Sequence, residues 1–567
     1  MCSVILVRIF ARVQTAGSKT RTVRGKPLDV ARELVREGKL DEVVALVDAL
    51  ASRNSQLELL IAALRARRNK AEGVSKEQLS LALEELAAIV AAGGDVDTAV
   101  AAADAELQKA VAEHGGRPEP TKPPPQPALR RPPPPDLRRV NNPIPVPAAE
   151  RSCPACGTER KTVKVETTEV IDLIPAEVIV RLDEREVCAC PKCDAEMVRA
   201  PLGDKVVVGG AYGSQLVASL VVGKYADGLP LHRQHEVLKR LGLEMPSSSM
   251  ADQITWATDL LAPIWRGLIE VARASLLLHV DATSMPVRDK ETKGVVHLGA
   301  LWGYVGSDAD GPLCAVYLFT STGRKLGQLE GEIGPEEFLL DREGFVVADA
   351  GSVFDASFER DELIEIGCNM HARRYFVKAF EAGDKRAAMP IAAFRAIYDV
   401  EDASKDADPA TREAARRERS RPVYDKVLEW ARLLRRTEPP ESLLAKAVGY
   451  LINHALALTR FLDDGRLPID NGIVERLHRD VAILRNNCLF AGSYAGGQRA
   501  AIALSILGTC DMLGINPIEY LASVLPQLTR AQAPERELRA LMPASWKAAQ
   551  DAAAVAPTAP ESPPSGP

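Results

Sequence analysis

LLLHVDAT (residues 276–283) and FVVADAG (residues 345–351) are apolar runs that each end in an aspartate, Asp281 and Asp349. Between them lie VVHLGALWGYVG (residues 295–306) and LCAVYLFTS (residues 313–321), with Gly, Asp and Pro at the joints. Runs of this kind, bounded by turn residues, read as strands of one sheet. Neighbouring strands bring Asp281 and Asp349 together across a long stretch of chain. Further on, LPIDNGIVERLHRDVAILRNNCLFAGSYAGGQRAA (Leu467–Ala501) reads as a helix carrying Glu475 beside Arg476 and Arg479. Taken singly, an aspartate at a strand end is usually a turn or cap residue. Three carboxylates delivered this way suit a metal-dependent phosphodiester chemistry. Mg²⁺ (or Mn²⁺) takes oxygen ligands, and two such ions ~4 Å apart activate an attacking hydroxyl and stabilise the leaving oxygen.

The chain has 567 residues, too many for one ordinary core, so three or more folding units are expected. A net charge of −6 announces no global basic field for nucleic acid, so local clusters carry that question. Aromatic content of 5% argues against base-stacking platforms. No apolar run approaches the ~20 residues that span a membrane. MCSVILVRIFARV places apolar residues ahead of basic ones and makes a poor secretory signal. A cytoplasmic location is the default expectation. Ten cysteines in such a chain indicate metal or burial, not a disulfide framework.

Residues 28–114 read as helices. Val43, Leu50, Leu57 and Leu64 recur at heptad spacing, with Leu46 and Leu60 between them, but Arg53 and Arg67 interrupt the seam. A plain helical hairpin and a self-associating coiled coil both fit. Residues 115–150, with PTKPPPQPALRRPPPPDLRR, read as a proline-rich linker. Residues 205–274 look helical. EVLKRLGLEMPSSSMADQITWA reads as helix, Gly242 turn and a second helix capped by a serine at 247–249, a pattern shared by DNA-reading helix pairs and many others. Residues 275–500 hold the strands and the Glu475 helix, with helices inserted over about 376–460. A C-terminal helical segment (501–548) and a disordered tail (549–567) follow.

Cys153-Pro-Ala-Cys156 and Cys190-Pro-Lys-Cys193 form two CxxC pairs within residues 151–200. Two such pairs complete a tetrahedral four-thiolate Zn²⁺ site, closed to substrate and therefore structural. Cys188 is an alternative to Cys190 as third ligand. In CNMHARRYF, Cys368 and His371 offer two potential ligands, too few for a site; buried structural roles fit better. Arg373, Arg374, Arg476, Arg479 and Arg485 are the candidate phosphate contacts, with Arg499 nearby; each alone reads equally as a surface ion pair. TREAARRERSRP (Thr411–Pro422) is strongly basic, with interleaved acids that suggest a solvated face.

VDATSMPV, GALWGYVG, FVVADAG, CNMHARRYF and DNGIVERLHRDVAILRNNCLFAG stand in a fixed order, with KYADGLPLHRQ before them and NPIEYLASVLPQL and LMPASWK after them. From about residue 40 to residue 547 the chain resembles the transposases of the insertion sequence 66 family, a DDE group. The resemblance implies a multidomain α/β protein. Its catalytic sheet is ribonuclease-H-like with a helical insertion, preceded by N-terminal helices and a small zinc module. It implies Asp281, Asp349 and Glu475 as the catalytic, magnesium-binding acids. Asp470 competes with Glu475, while Asp341 and Asp355 rank lower. It further implies metal-dependent strand cleavage and strand transfer on transposon terminal inverted repeats and target DNA. A homo-oligomeric synaptic complex and accessory proteins of the same element would act with it. Two departures stand out. The family usually has D-E-T where this chain has Asp281-Ala282-Thr283. It usually has R-K-N-W-L-F where this chain has Arg485-Asn486-Asn487-Cys488-Leu489-Phe490. They leave a second expectation, a catalytically decayed, zinc-containing DNA-binding protein derived from a transposase.

Overall fold

The computed structural model describes mainly residues 210–288, 295–308, 311–321, 333–530 and 535–555, together with 98–114, 176–188 and a few residues elsewhere. The heptad seam, the proline-rich linker, the four cysteines of the two CxxC pairs and residues 556–567 lie outside the described residues.

The apolar runs form a five-stranded sheet. Its strands are β1 (Leu277–Arg288), β2 (Val296–Asp308), β3 (Gly311–Thr320), β4 (Gly344–Ala348) and β5 (Leu363–Gly367). Their spatial order is β3-β2-β1-β4-β5. The first three strands are antiparallel neighbours, while β4 runs parallel to β1 and β5 parallel to β4. The parallel half is hydrophobic at successive positions, as a sheet covered on both faces requires. Val346, Val347 and Ala348 are fully buried.

Edge strands leave backbone donors and acceptors unpaired, which invites mispairing with other chains. Here the β3 edge is sealed by a helix. α10 (Tyr494–Met512) carries Ser505 and Thr509 against it. Ser505 Oγ accepts from Tyr317 N–H at 2.7 Å, and Thr509 Oγ1 accepts from Ala315 N–H at 3.0 Å. At the other edge, Arg460 donates to the Glu365 carbonyl on β5.

Before the sheet come α2 (Ser214–Tyr225), α3 (Leu231–Arg240) and α4 (Ser247–Ala274). Gly242, with φ +89°, makes the turn between α3 and α4, a backbone conformation suited to glycine. The helix start differs from the expected serine cap: Pro246 is the cap residue, and Ser247–Ser249 form the first turn. Proline's locked φ, −59° here, already directs the chain into the helix. The inner face of α4 packs on the sheet through Ile254, Leu261, Ile264 and Leu268.

Between β5 and the Glu475 helix, helical segments fill residues 369–463, wider on both sides than the expected 376–460. The main ones are α5 (Asn369–Ala382), α6 (Ala388–Ser404), α7 (Arg421–Leu434) and α8 (Leu443–Asn453). They share a core around Phe376, Phe394, Tyr424 and Trp430 that reaches Leu277, Val347 and Ile366 of the sheet. α1 (Thr98–His114) joins this core through Leu107 and Ala110. The basic stretch 411–422 is not simply a solvated face. Arg416 is 1% exposed, holds Glu401 through two hydrogen bonds of 2.8 and 2.6 Å, and donates to the Phe461 and Asp464 carbonyls. Its four donations neutralise a buried charge that the sequence pattern alone assigns to solvent.

α9 (Gly472–Cys488) carries Glu475, and α11 (Pro517–Arg530) and α12 (Pro543–Val555) complete the C-terminal part. α12 continues to Val555, so the disordered tail expected from 549 does not begin there. Gln550 and the alanines at 552–554 are strong helix formers, and Pro557 follows them. No helix among the described residues is long and apolar enough to cross a membrane.

Candidate active site

β1 and β4 pair in parallel with Leu277, Leu278 and His279 opposite Phe345, Val346 and Val347. Carried two residues further, the same register sets Asp281 opposite Asp349. Adjacent strands lie about 4.8 Å apart, and paired residues of parallel strands face the same side. Asp281 lies inside β1, which continues to Arg288, and Asp349 directly follows the last residue of β4; both are half-buried. On its other flank Asp281 pairs with Gly303 of β2.

α9 lies across this face, and its start is fixed by a completely buried asparagine. Asn471 Nδ2 donates to the Val280 carbonyl at 2.7 Å, directly before Asp281. Its Oδ1 faces His279 Nδ1 at 3.1 Å, and its N–H donates to Cys368 Sγ at 3.3 Å. Burial pulls His279 down to about 4, so the ring is neutral and donates from Nδ1 to the amide oxygen. Strand β1, the Cys368 corner and the helix start are thereby joined at one residue. Asn369 makes a second clamp. Its Nδ2 donates to the Leu458 and Ile469 carbonyls, and its Oδ1 accepts from Tyr424.

Glu475 sits in the first turn of α9, where the helix dipole favours a negative charge. Its Oε2 accepts from Arg374 Nη2 at 3.3 Å, and its Oε1 faces His371 Nδ1 at 3.7 Å. Among the described residues neither Oε1 nor His371 Nδ1 has a hydrogen-bond partner, although both atoms are buried. Burial and the neighbouring Arg374 hold His371 below its usual range, while Glu475 and Asp349 act on it in the opposite sense. His371 thus contacts Glu475 and feels the charge of Asp349. One turn along α9, the buried His478 Nε2 lies 3.7 Å from Asp281 Oδ2 and has no hydrogen-bond partner among the described residues, while His478 Nδ1 meets the Tyr317 hydroxyl at 3.2 Å. Burial pulls His478 down to about 4. Gly303 makes room for this ring: a Cβ there would lie 2.7 Å from His478 Cε1. The helix therefore carries Glu475 and His478 three residues apart, His478 toward Asp281 and Glu475 toward Arg374 and His371.

The other candidates fall in distinct places. Asp470 is engaged on both oxygens, accepting from Tyr398 Oη at 2.7 Å and from Gly472 N–H at 2.8 Å, so it anchors the helix start. Asp341 and Asp355 are exposed, before and after β4. Arg476 and Arg479 are exposed on α9. Arg485 binds inward, donating to Thr283 Oγ1 at 3.2 Å and to Ser284 at 2.8 and 2.9 Å. Arg374 is turned to Glu475 and His371. Arg373 is half-buried, and burial lowers it from the usual arginine value. Arg499 forms a two-pronged pair with Asp259 at 2.9 and 3.2 Å. Cys188 lies exposed in a two-residue strand paired with Val198–Arg199.

Residues 209–499, about half of the chain, match the family described as Transposase IS66 family. The chain belongs to that family. Residues 150–194, which include all four cysteines of the CxxC pairs, match the zinc-finger binding domain of transposase IS66. Three relatives from Sinorhizobium fredii are similar along most of their length. The uncharacterized protein y4hP is 29% identical over 524 residues, covering 88% of this chain and 89% of its own. The uncharacterized protein y4qI is 28% identical, covering 89% and 92%. The uncharacterized protein y4jD is 28% identical, covering 70% and 79%. As an IS66 family transposase, the chain has a role in transposition and acts on DNA. Four site residues escaped the sequence reading: Asn471, His279 and His478 as positioning groups, and His371 as a partner of Glu475. Alternation along LLLHVDAT already puts His279 on the face of Asp281, but only packing reveals what it meets.

Proposed function

We propose that this IS66 family transposase cuts and rejoins DNA strands at Asp281, Asp349 and Glu475, on a ribonuclease-H-like sheet. The strand order with one antiparallel and one parallel half supports that fold. The observation that carries the proposal is the parallel pairing of β1 and β4, which leads toward Asp281 and Asp349, with a glutamate helix pinned to β1 by Asn471. Two carboxylates side by side repel each other, and a divalent cation offsets that repulsion. The donor set fits Mg²⁺ or Mn²⁺: half-buried oxygens of Asp281 within β1 and of Asp349 just past β4, and a buried Glu475 Oε1 without a hydrogen-bond partner among the described residues. When bound, such ions supply activation of the attacking oxygen and stabilisation of the departing one.

The chain's own groups supply position. Asn471 and His279 hold the strand and helix in contact, and His478 with Tyr317 props the Asp281 side of the site. Arg476 and Arg479, exposed on α9, would hold DNA phosphates beside the acids, with Arg373, Arg374 and Arg485 closer in. Terminal inverted repeats and target DNA are the substrates in this reading, brought together in a homo-oligomeric synaptic complex with accessory proteins of the element. The four cysteines Cys153, Cys156, Cys190 and Cys193 fit a structural Zn²⁺ by donor chemistry.

A DNA-binding protein without cleavage is the rival reading. It draws on one observation, that Glu475 is turned toward Arg374 and His371 rather than toward the aspartates. A labelled duplex bearing the element's end separates the two. With Mg²⁺ and the accessory proteins, wild type should cleave and Glu475→Gln should not, while Asp470→Asn retains cleavage. Equal cleavage by wild type and Glu475→Gln would remove Glu475 from the site.

A further inference from the structure

Cys368, His371 and Glu475 form a cluster in which one ligand atom from each lies within 4.8 Å of the others. Cys368 precedes α5 and His371 lies in its first turn, so a Cys-x-x-His element presents two donors from one helix start. Glu475 arrives from the first turn of α9, and the Asn471 N–H donated to Cys368 Sγ ties the two helix starts together. His371 Nδ1 and Glu475 Oε1 are buried, face each other at 3.7 Å and have no hydrogen-bond partner. Two atoms each ~2.1 Å from a tetrahedral ion lie roughly 3.4 Å apart, so this gap suits a cation between them. A buried donor pair left unmade is costly, which makes a missing ligand the economical explanation.

We propose that Cys368, His371 and Glu475 form a second Zn²⁺ site, separate from the four-cysteine module. Sulfur, imidazole and carboxylate select a borderline-soft ion over Mg²⁺. A thiolate and a carboxylate neutralise the divalent charge, and the thiol proton is released on binding. Three protein donors leave one position for water. The site does not rest on the strand-cleavage reading, but it shares Glu475 with it. Zinc bound here withdraws Glu475 from Asp281 and Asp349, so zinc occupancy and catalytic use of that glutamate exclude each other.

The test is the zinc content of the full chain by elemental analysis, after equilibration with Zn²⁺ in excess Mg²⁺, for wild type, His371→Gln and Cys368→Ser. The expected result is one zinc per chain fewer in either variant, with no further loss in the double variant. Cys368 is fully buried, so its variant counts only if circular dichroism shows it folded; the partly exposed His371 supplies the second variant. Equal zinc in wild type and folded His371→Gln overturns the proposal. Cleavage in Mg²⁺ alone is a separate readout, so loss of the zinc site and loss of the catalytic reading remain distinguishable.

Discussion

Replacing Asn471 with alanine should be among the most damaging single changes near the acids. The side chain is fully buried and satisfies two groups of the buried strand beside it. These are the Val280 carbonyl, at 2.7 Å, and the His279 Nδ1–H, at 3.1 Å. A buried polar group left unpaired costs ~1–3 kcal/mol, so two cost about 2–6 kcal/mol. The backbone N–H to Cys368 survives the substitution and does not enter the sum. With a urea slope of about 3 kcal/mol/M, the midpoint should fall by ~0.7–2 M. Urea unfolding followed by tryptophan fluorescence measures this directly, since Trp302 and Trp430 are buried on either side of the site. Hydrogen exchange at the start of α9 should rise in parallel. A midpoint within about 0.3 M of wild type, roughly 1 kcal/mol, would refute the assigned role of Asn471.

Gly303→Ala places a methyl 2.7 Å from His478 Cε1 and 3.3 Å from Val474 Cγ2. Overpacking should cost ~1–3 kcal/mol and displace α9, read as a lowered melting temperature with weaker cleavage. Arg416→Ala removes the partner of Glu401 and one donor each from the Phe461 and Asp464 carbonyls. A loss of ~3–5 kcal/mol in unfolding experiments is expected; a change under about 1 kcal/mol would mean the pair is dispensable. His279 is held neutral by burial, with its value at about 4 against ~6.5 in an unfolded chain. The unfolded state therefore binds the proton first as pH falls. This contribution is complete above pH ~6.5 and declines toward pH ~4 by up to about 1.4 kcal/mol per unit. Urea midpoints at pH 7 and pH 5 should show a smaller pH loss in His279→Gln than in wild type; identical losses would contradict it.

The strand runs were legible because apolar alternation and turn residues survive in the bare sequence; Asp349 does follow the end of its run, whereas Asp281 lies inside a strand that continues to Arg288. The Glu475 helix was equally readable from its periodicity. What could not be read is pairing across elements. Ser505 and Thr509 sit among the apolar residues of the helix's buried stretch and look incidental until the β3 edge lies beside them. Arg416 belongs to a charged stretch, and only the convergence of Glu401 and two carbonyls explains why it is inside. Cys368 and His371 supply two ligands in sequence, and the third comes from more than a hundred residues away. Pro246 took the cap position because the local backbone angle, rather than a side-chain hydrogen bond, starts that helix.

The most direct measurement is divalent-dependent cleavage of a duplex carrying the element's own end, comparing wild type with Asp281→Asn and Asp349→Asn. Both variants preserve side-chain volume while removing the charge. The account predicts Mg²⁺-dependent nicking by wild type and at least about 100-fold less by each variant, ~2.7 kcal/mol of transition-state stabilisation. Cleavage by either variant at the wild-type rate, with folding and end binding intact, would contradict the assignment of the paired aspartates as the reactive centre.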